Sequence, residues 1–249
     1  MKEAFTKFFR YIPRSTSVQL YGLSHILYIL ISISAVVLLC CLMHKRSEKA
    51  KDRAVKILAF LTIFVYVFDF FVQPFWAGEI CVGKLPFHIC TATGVLIPFV
   101  VFSKKFKFLE RVITVWAVLA PLAFIFAPMN YINRPVEPYS YPIIQTFLFH
   151  ALEFAWGVFM LASGKVKLPC QTIWQPIIGL FPMALWATLG QNMYYGNSLG
   201  ENFLFLRTDV SGIVPHWVFI IALFLAACIA ISITYTIYFV IQKMKKTKV

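Results

Sequence analysis

Three long, predominantly apolar runs decide what this chain can fold into. They are "YGLSHILYILISISAVVLLCCLM" from residue 21, "AVKILAFLTIFVYVFDFFVQPFW" from residue 54 and "PHWVFIIALFLAACIAISITYTIYFVIQ" from residue 215. Each exceeds the roughly 18 residues that mark a membrane-spanning helix, and no long polar stretch separates them from the other apolar runs. The sequence is 60% hydrophobic and 13% charged, about half the charge of a soluble domain. These features exclude a soluble enzyme and predict an all-α, polytopic membrane helical bundle with about seven transmembrane helices. The spans fall at about 18–43, 55–77, 85–103, 108–128, 142–163, 172–195 and 215–242. Neighbouring helices joined by such short connections are expected to run antiparallel and to touch.

Three segments follow. Residues 1–17 have no apolar h-region or small-residue cleavage site and so do not read as a removable signal peptide. They read as an amphipathic interfacial helix, with Phe5, Phe8, Phe9 and Tyr11 toward lipid and Lys2, Lys7 and Arg10 toward water. Residues 18–242 form the seven-helix transmembrane domain, and 243–249 a basic cytoplasmic tail. A formal net charge of +13 would suggest a nucleic-acid partner in a soluble protein. In a membrane chain it points instead to basic loops lying against anionic lipid, and neither nucleic acid nor an obligate protein partner is indicated. The loops after the first, third and fifth spans, with the adjoining helix ends and the C-terminal tail, hold 16 of the 23 Lys and Arg. That bias places the N-terminus outside and the C-terminus in the cytoplasm of a multi-pass cell-membrane protein. The N-terminal tail, with four basic residues, pulls the other way. The cysteines at 40, 41, 81, 90, 170 and 228 show no CxxC pairing, so neither a disulfide framework nor a zinc site is indicated, and no metal or cofactor is expected.

The informative residues are the polar ones within the spans. An ionisable side chain at a helix centre costs about 2.5–3.5 kcal/mol to insert, so each needs a reason. At 1.5 Å of rise per residue, His25 lies roughly 10 Å from the outer end of its span, Asp69 and His150 about 12 Å, and Cys90 about 8 Å. His216 opens the seventh span, and Gln191 with Asn192 closes the sixth on the same side. Together they make one polar layer in the outer half. Thr62, Tyr66, Asp69 and Gln73 share one helical stripe; Thr146, His150 and Glu153 share another, and Tyr21, His25 and Tyr28 a third. Cys90 and Thr93 share a face, but His88 is about 200° round from Cys90 unless the helix begins after His88.

Each residue has a plain structural alternative. Cys40, Cys41 and Cys228 read as packing, since cysteine behaves as a small buried hydrophobe. Cys90 stands near a helix start, where free N–H groups and the dipole favour a thiolate. His150 with Glu153 is either a hydrogen-bonded pair holding helices together or part of a functional site. Asp69 can pair with His25 or His216. His44 lies in a solvated basic loop, and Trp76, Trp174 and Trp217 fit an interfacial aromatic belt.

With "LPFHIC" at 85–90 and "FHALEF" at 149–154, the chain resembles the YwaF-type bacterial integral membrane family, whose animal relative is transmembrane protein 164. It is more distantly similar to the androgen-induced-gene intramembrane hydrolases. The resemblance runs from the first span to the seventh and rests on LPxHxC followed about sixty residues later by an intramembrane His. It implies a lipid acyltransferase or acyl-ester hydrolase that takes membrane phospholipids as substrate, with Cys90 in the nucleophile position and His150 in the base position. His88, Asp69, Glu153, His25 and His216 are then candidates to support or orient the pair. Thr93, Thr146, Tyr66, Gln191 and Asn192 are candidates to contact substrate. Pro86 would pre-set the first turn of the third helix. The competing reading is a proton-coupled small-molecule transporter with a relay of His25, Asp69, His150 and Glu153. Against it, the polar layer does not continue into the inner half, and no pair of broken helices marks inverted repeats. A metal-binding membrane protein lacks any recognisable ligand spacing.

Overall fold

A computed structural model describes residues 8–9, 19–76, 84–126, 137–193, 204, 206 and 214–247. Among these, seven α-helices are present and no strand. They are α1 (Leu23–Met43), α2 (Glu48–Trp76), α3 (Ile89–Phe102), α4 (Glu110–Phe126), α5 (Tyr141–Ala162), α6 (Trp174–Met193) and α7 (His216–Thr247). Helix is the only open-ended solution for such runs, because lipid offers no partner for backbone N–H and C=O groups. Six of the seven are long and apolar enough to cross a membrane, and the protein is a multi-pass membrane protein.

The exception is α3. Its 14 residues rise only about 21 Å, short of the roughly 30 Å hydrocarbon core. The expected span at 85–103 therefore loses its first residues. Residues 84–88 form a turn instead, in which the Phe87 N–H donates to the Leu85 carbonyl at 2.7 Å. Pro86 consequently does not occupy the first helical position. It lies in the turn, and its carbonyl accepts the Trp186 indole N–H at 2.7 Å. At the other end of the chain, α7 continues unbroken to Thr247, so residues 243–247 of the basic tail extend the last helix. The expected N-terminal amphipathic segment lies outside the described residues except for Phe8 and Phe9, and Phe9 stacks on Tyr141 with ring centroids 5.4 Å apart.

The bundle is built around α5. In the most apolar window of this helix 67% of residues are buried, against 11% in α1 and 6% in α7, so those two helices are left facing lipid. The helix packs on α4 most extensively, then on α2 and α1, and touches α3. The α4–α5 approach is close because Gly157 lies where a Cβ would come within 2.9 Å of the Ala117 carbonyl carbon. Small residues at such crossings let helix backbones meet in lipid, where van der Waals packing is the main attraction.

Ion pairs show which loops share an end. Lys165, just after α5, pairs with Glu48 at 2.7 Å and Asp52 at 2.8 Å at the start of α2. Arg111, at the start of α4, donates to the Lys167 carbonyl at 3.0 Å and to Gln175 at 2.8 Å. The loops after α1, α3 and α5 thus gather at one end, as the alternating topology requires. The starts of α3 and α5 lie together at the opposite end.

Candidate functional site

At that opposite end the polar stripes turn inward. On α2, Thr62 and Gln73 are fully buried, with Asp69 and Tyr66 nearly so; on α5, Glu153 is fully buried and Thr146 and His150 almost so. The link between the two stripes is a residue that the sequence reading passed over. The Lys84 ammonium pairs with Asp69 at 3.3 Å and donates to Gln145 Oε1 at 2.9 Å and Thr146 Oγ1 at 3.1 Å. Gln73 donates to the same Asp69 oxygen at 2.9 Å, and the Tyr66 hydroxyl donates to the Lys84 carbonyl at 2.7 Å. The available signal was that Lys84 is the only basic residue between the second and third spans, opposite the only carboxylate in the second.

His88 is the N-cap of α3, with extended backbone angles (φ −90°, ψ 152°). The helix thus begins after it, and this is the condition under which His88 and Cys90 can turn to the same side. Cys90 is the second helical residue, in the first turn where free N–H groups favour an anion, and it is a free, partly exposed thiol. Thr93, one turn on, is fully buried, and its hydroxyl has no hydrogen-bond partner among the described residues.

Gly94 sets how closely α3 meets α5. A Cβ there would stand 2.5 Å from Phe149 Cζ and 2.8 Å from Glu153 Oε1. Because α3 and α5 start at the same end, stepping one turn back from this contact brings Cys90 and His150 to a common depth. Glu153, beside Gly94, and Lys84, which donates to Thr146 one turn before His150, are charged groups flanking these two turns.

The His150 ring is held on two sides. Its Nδ1 lies 2.7 Å from the Thr146 carbonyl, and its face stacks on Phe124 with centroids 3.8 Å apart. A carbonyl can only accept, so Nδ1 carries the proton and Nε2 keeps its lone pair. That Nε2 is buried without a hydrogen-bond partner among the described residues, as are both carboxyl oxygens of Glu153. No hydrogen bond joins it to the Cys90 sulfur.

Other candidates are placed elsewhere. His25 is fully buried, but it accepts the Tyr21 N–H at Nδ1 (3.0 Å) and donates from Nε2 to the Ile125 carbonyl at 2.9 Å. It ties α1 to the end of α4 and does not pair with Asp69. Tyr21 precedes α1 and is 56% exposed, while the Tyr28 hydroxyl donates to the Pro138 carbonyl. The first-span stripe is thus a brace. His216 Nε2 bonds the Leu206 carbonyl at 2.7 Å, again away from Asp69. The side chains of Gln191 and Asn192, and all of Cys81, lie outside the described residues. A cavity of about 130 Å³ opens at the basic end between Lys56, Lys107 and Lys165, a bundle length from Cys90.

A family model matches residues 20–242, from just before α1 to within α7. The chain belongs to the TMEM164 family. No curated protein and no solved structure matches it. Within this TMEM164-family protein, the matched region includes Lys84, Cys90, His150 and every other residue of the polar layer.

Proposed function

We propose that this protein is a membrane-embedded lipid acyltransferase or acyl-ester hydrolase using Cys90 as nucleophile and His150 as base. The observation that carries the reading is the state of the His150 ring. Nδ1–H is spent on the Thr146 carbonyl, which leaves a buried Nε2 lone pair with no protein partner among the described residues at the depth of the Cys90 thiol. The Thr146 carbonyl takes the orienting role that a carboxylate plays in triads on unrelated folds.

In the reactive complex His150 Nε2 comes within about 3 Å of the sulfur and takes its proton. The thiolate attacks the ester carbonyl carbon of a membrane phospholipid, and the carbon–oxygen bond to the glycerol breaks. The departing oxygen collects the proton from His150, and the acyl group remains on Cys90 as a thioester. A second lipid hydroxyl, or water, gives its proton to His150 and attacks that thioester, forming the new ester or the free acid and restoring the thiol. Thr93, one turn after Cys90 on α3 with an unpartnered buried hydroxyl, serves as donor to the carbonyl oxygen. The protein sits in the cell membrane with its N-terminus outside, and its basic end rests on anionic lipid.

The test is to incubate purified protein with phospholipid and map adducts by mass spectrometry. A hydroxylamine-sensitive acyl group on Cys90, lost in His150→Ala, is the expected result. A Cys90→Ser protein that still remodels or hydrolyses lipid at the native rate would overturn it.

A further inference from the structure

Resting on that reading, a role can be assigned to the half-buried cation beside it. We propose that Lys84 is the positioning residue of this site: it pins the second turn of α5, from which Thr146 orients His150, and it keeps a positive charge beside Cys90. The geometry is that of a clamp. Three partners on two helices, Asp69 on α2 with Gln145 and Thr146 on α5, surround one ammonium. The Lys84 carbonyl is itself tied to α2 through the Tyr66 hydroxyl. The Thr146 hydroxyl, which Lys84 contacts, also donates to the Pro142 carbonyl at 2.8 Å. The Thr146 carbonyl accepts the hydrogen bond from His150 Nδ1–H. A displaced Lys84 therefore frees the turn that aims Nε2.

Charge is the second half of the role. The titratable groups on the elements packed against the start of α3 are Lys84 and His88 on the preceding turn, Tyr66 and Asp69 on α2, and Tyr141, His150 and Glu153 on α5. Lys84 is the only ammonium in that set, six residues from Cys90 in sequence; the Thr91 hydroxyl donates to the Leu85 carbonyl at 3.2 Å, folding the Lys84 turn back on the first turn of α3, and Lys84 touches Thr146 one turn before His150. Asp69 opposes it from 3.3 Å, so the two set the potential at the thiol together. A purely structural clamp and a charged one differ here. Removing Lys84 and removing Asp69 have the same effect on packing but opposite effects on a forming thiolate.

The experiment follows the alkylation of Cys90 by a small uncharged maleimide at neutral pH in the full chain, read peptide by peptide by mass spectrometry. Exposed Cys41 serves as the internal standard. Lys84→Met is expected to slow Cys90 labelling roughly fivefold to tenfold, the change that about one unit of thiol ionisation produces. Lys84→Arg restores most of it, and Asp69→Asn speeds it. Because Lys84→Met leaves a buried carboxylate without its partner, Lys84→Met/Asp69→Asn is made alongside. This pair keeps the fold neutral at that point and is expected to label more slowly than Asp69→Asn alone. Equal labelling rates in wild type, Lys84→Met and the double variant overturn the proposal. So do shifts of the same sign in Lys84→Met and Asp69→Asn. The readout needs no lipid turnover, so an unacylated Cys90 with the expected labelling pattern would count against the enzyme reading alone.

Discussion

Cys90 and His150 differ in what each has been given. His150 has a fixed ring, a fixed tautomer and a vacant lone pair, whereas Cys90 has a helix N-terminus and nearby charge but no hydrogen bond to its base. If they act as a unit, their losses do not add. Cys90→Ser and His150→Ala should each remove nearly all turnover, and the double variant should remove little more. Measured kcat/KM for the three variants checks this, and two independent, multiplying losses would break the pairing. Gly94 is the residue on which their alignment depends. Gly94→Ala places a methyl group 2.5 Å from Phe149 Cζ and 2.8 Å from Glu153 Oε1, inside any tolerable contact. Overpacking of this kind costs about 1–3 kcal/mol, so thermal unfolding in detergent should shift down and acyl transfer should fall with it. Wild-type stability and activity in Gly94→Ala would mean that α3 and α5 are less closely apposed than described. Cys90, His150 and the three polar stripes were legible in the sequence, because an ionisable group in a span has to be explained and helical spacing gathers such groups by face. Lys84 and Gly94 were not legible. A loop lysine signals nothing until its partners are known, and a helical glycine declares a close approach only once the opposing helix is in place.

Elements divide between those that the hydropathy pattern specifies and those that tertiary contacts trim. Each of the seven helices overlaps its expected span, since nothing but helix satisfies an apolar backbone in lipid. The start of α3 was misjudged. Apolar Leu85 and Phe87 extend the run, yet the 84–88 segment turns, and Phe87 packs instead on Trp186 of α6, with ring centroids 5.1 Å apart. First-span residues read as functional proved to be braces for a physical reason. His25 at its depth meets the carbonyl of Ile125 in the last turn of α4, one of the four that a helix end leaves unpaired. Replacing it removes a structural bond. His25→Ala should lower thermal stability by about 1–3 kcal/mol, the cost of leaving a buried carbonyl unsatisfied, while the activity of the folded fraction is preserved. A catalytic role for His25 would show instead as lost turnover at unchanged stability. At the basic end, the hydrogen bonds that the Lys165 ammonium donates to Asp52 and Glu48 hold it above its ordinary pKa. The sign follows: this contribution is complete below the ordinary lysine value and is lost only as pH rises through the folded one. The clasp between α2 and the α5–α6 loop is therefore intact across neutral and mildly acidic conditions.

The molecule as a whole has two unlike ends, and its orientation decides which leaflet the site serves. One end gathers the loops after α1, α3 and α5, joined by Lys165 to Glu48 and Asp52 and by Arg111 to the loop carbonyl of Lys167. That end carries most of the basic residues. The other end carries Lys84, with its charge compensated by Asp69, and the site around Cys90. Short loops rich in Lys and Arg remain in the cytoplasm, so the polar site is expected to open toward the outer leaflet. Cys170, exposed at the start of the α6 region, is a native reporter for the basic end. In intact cells a membrane-impermeant thiol reagent should leave Cys170 unmodified and label it after permeabilisation. A cysteine introduced between 129 and 141 should label without permeabilisation, and one between 45 and 53 should not. The reverse pattern would place the basic end outside, against the charge bias, and would move the proposed acyl chemistry to the cytoplasmic leaflet. The internal geometry would be unchanged by that inversion. What would change is the lipid pool that reaches Cys90, because the short α3 begins at the level of one leaflet only, and the substrate must come from the monolayer in which its first turn is set.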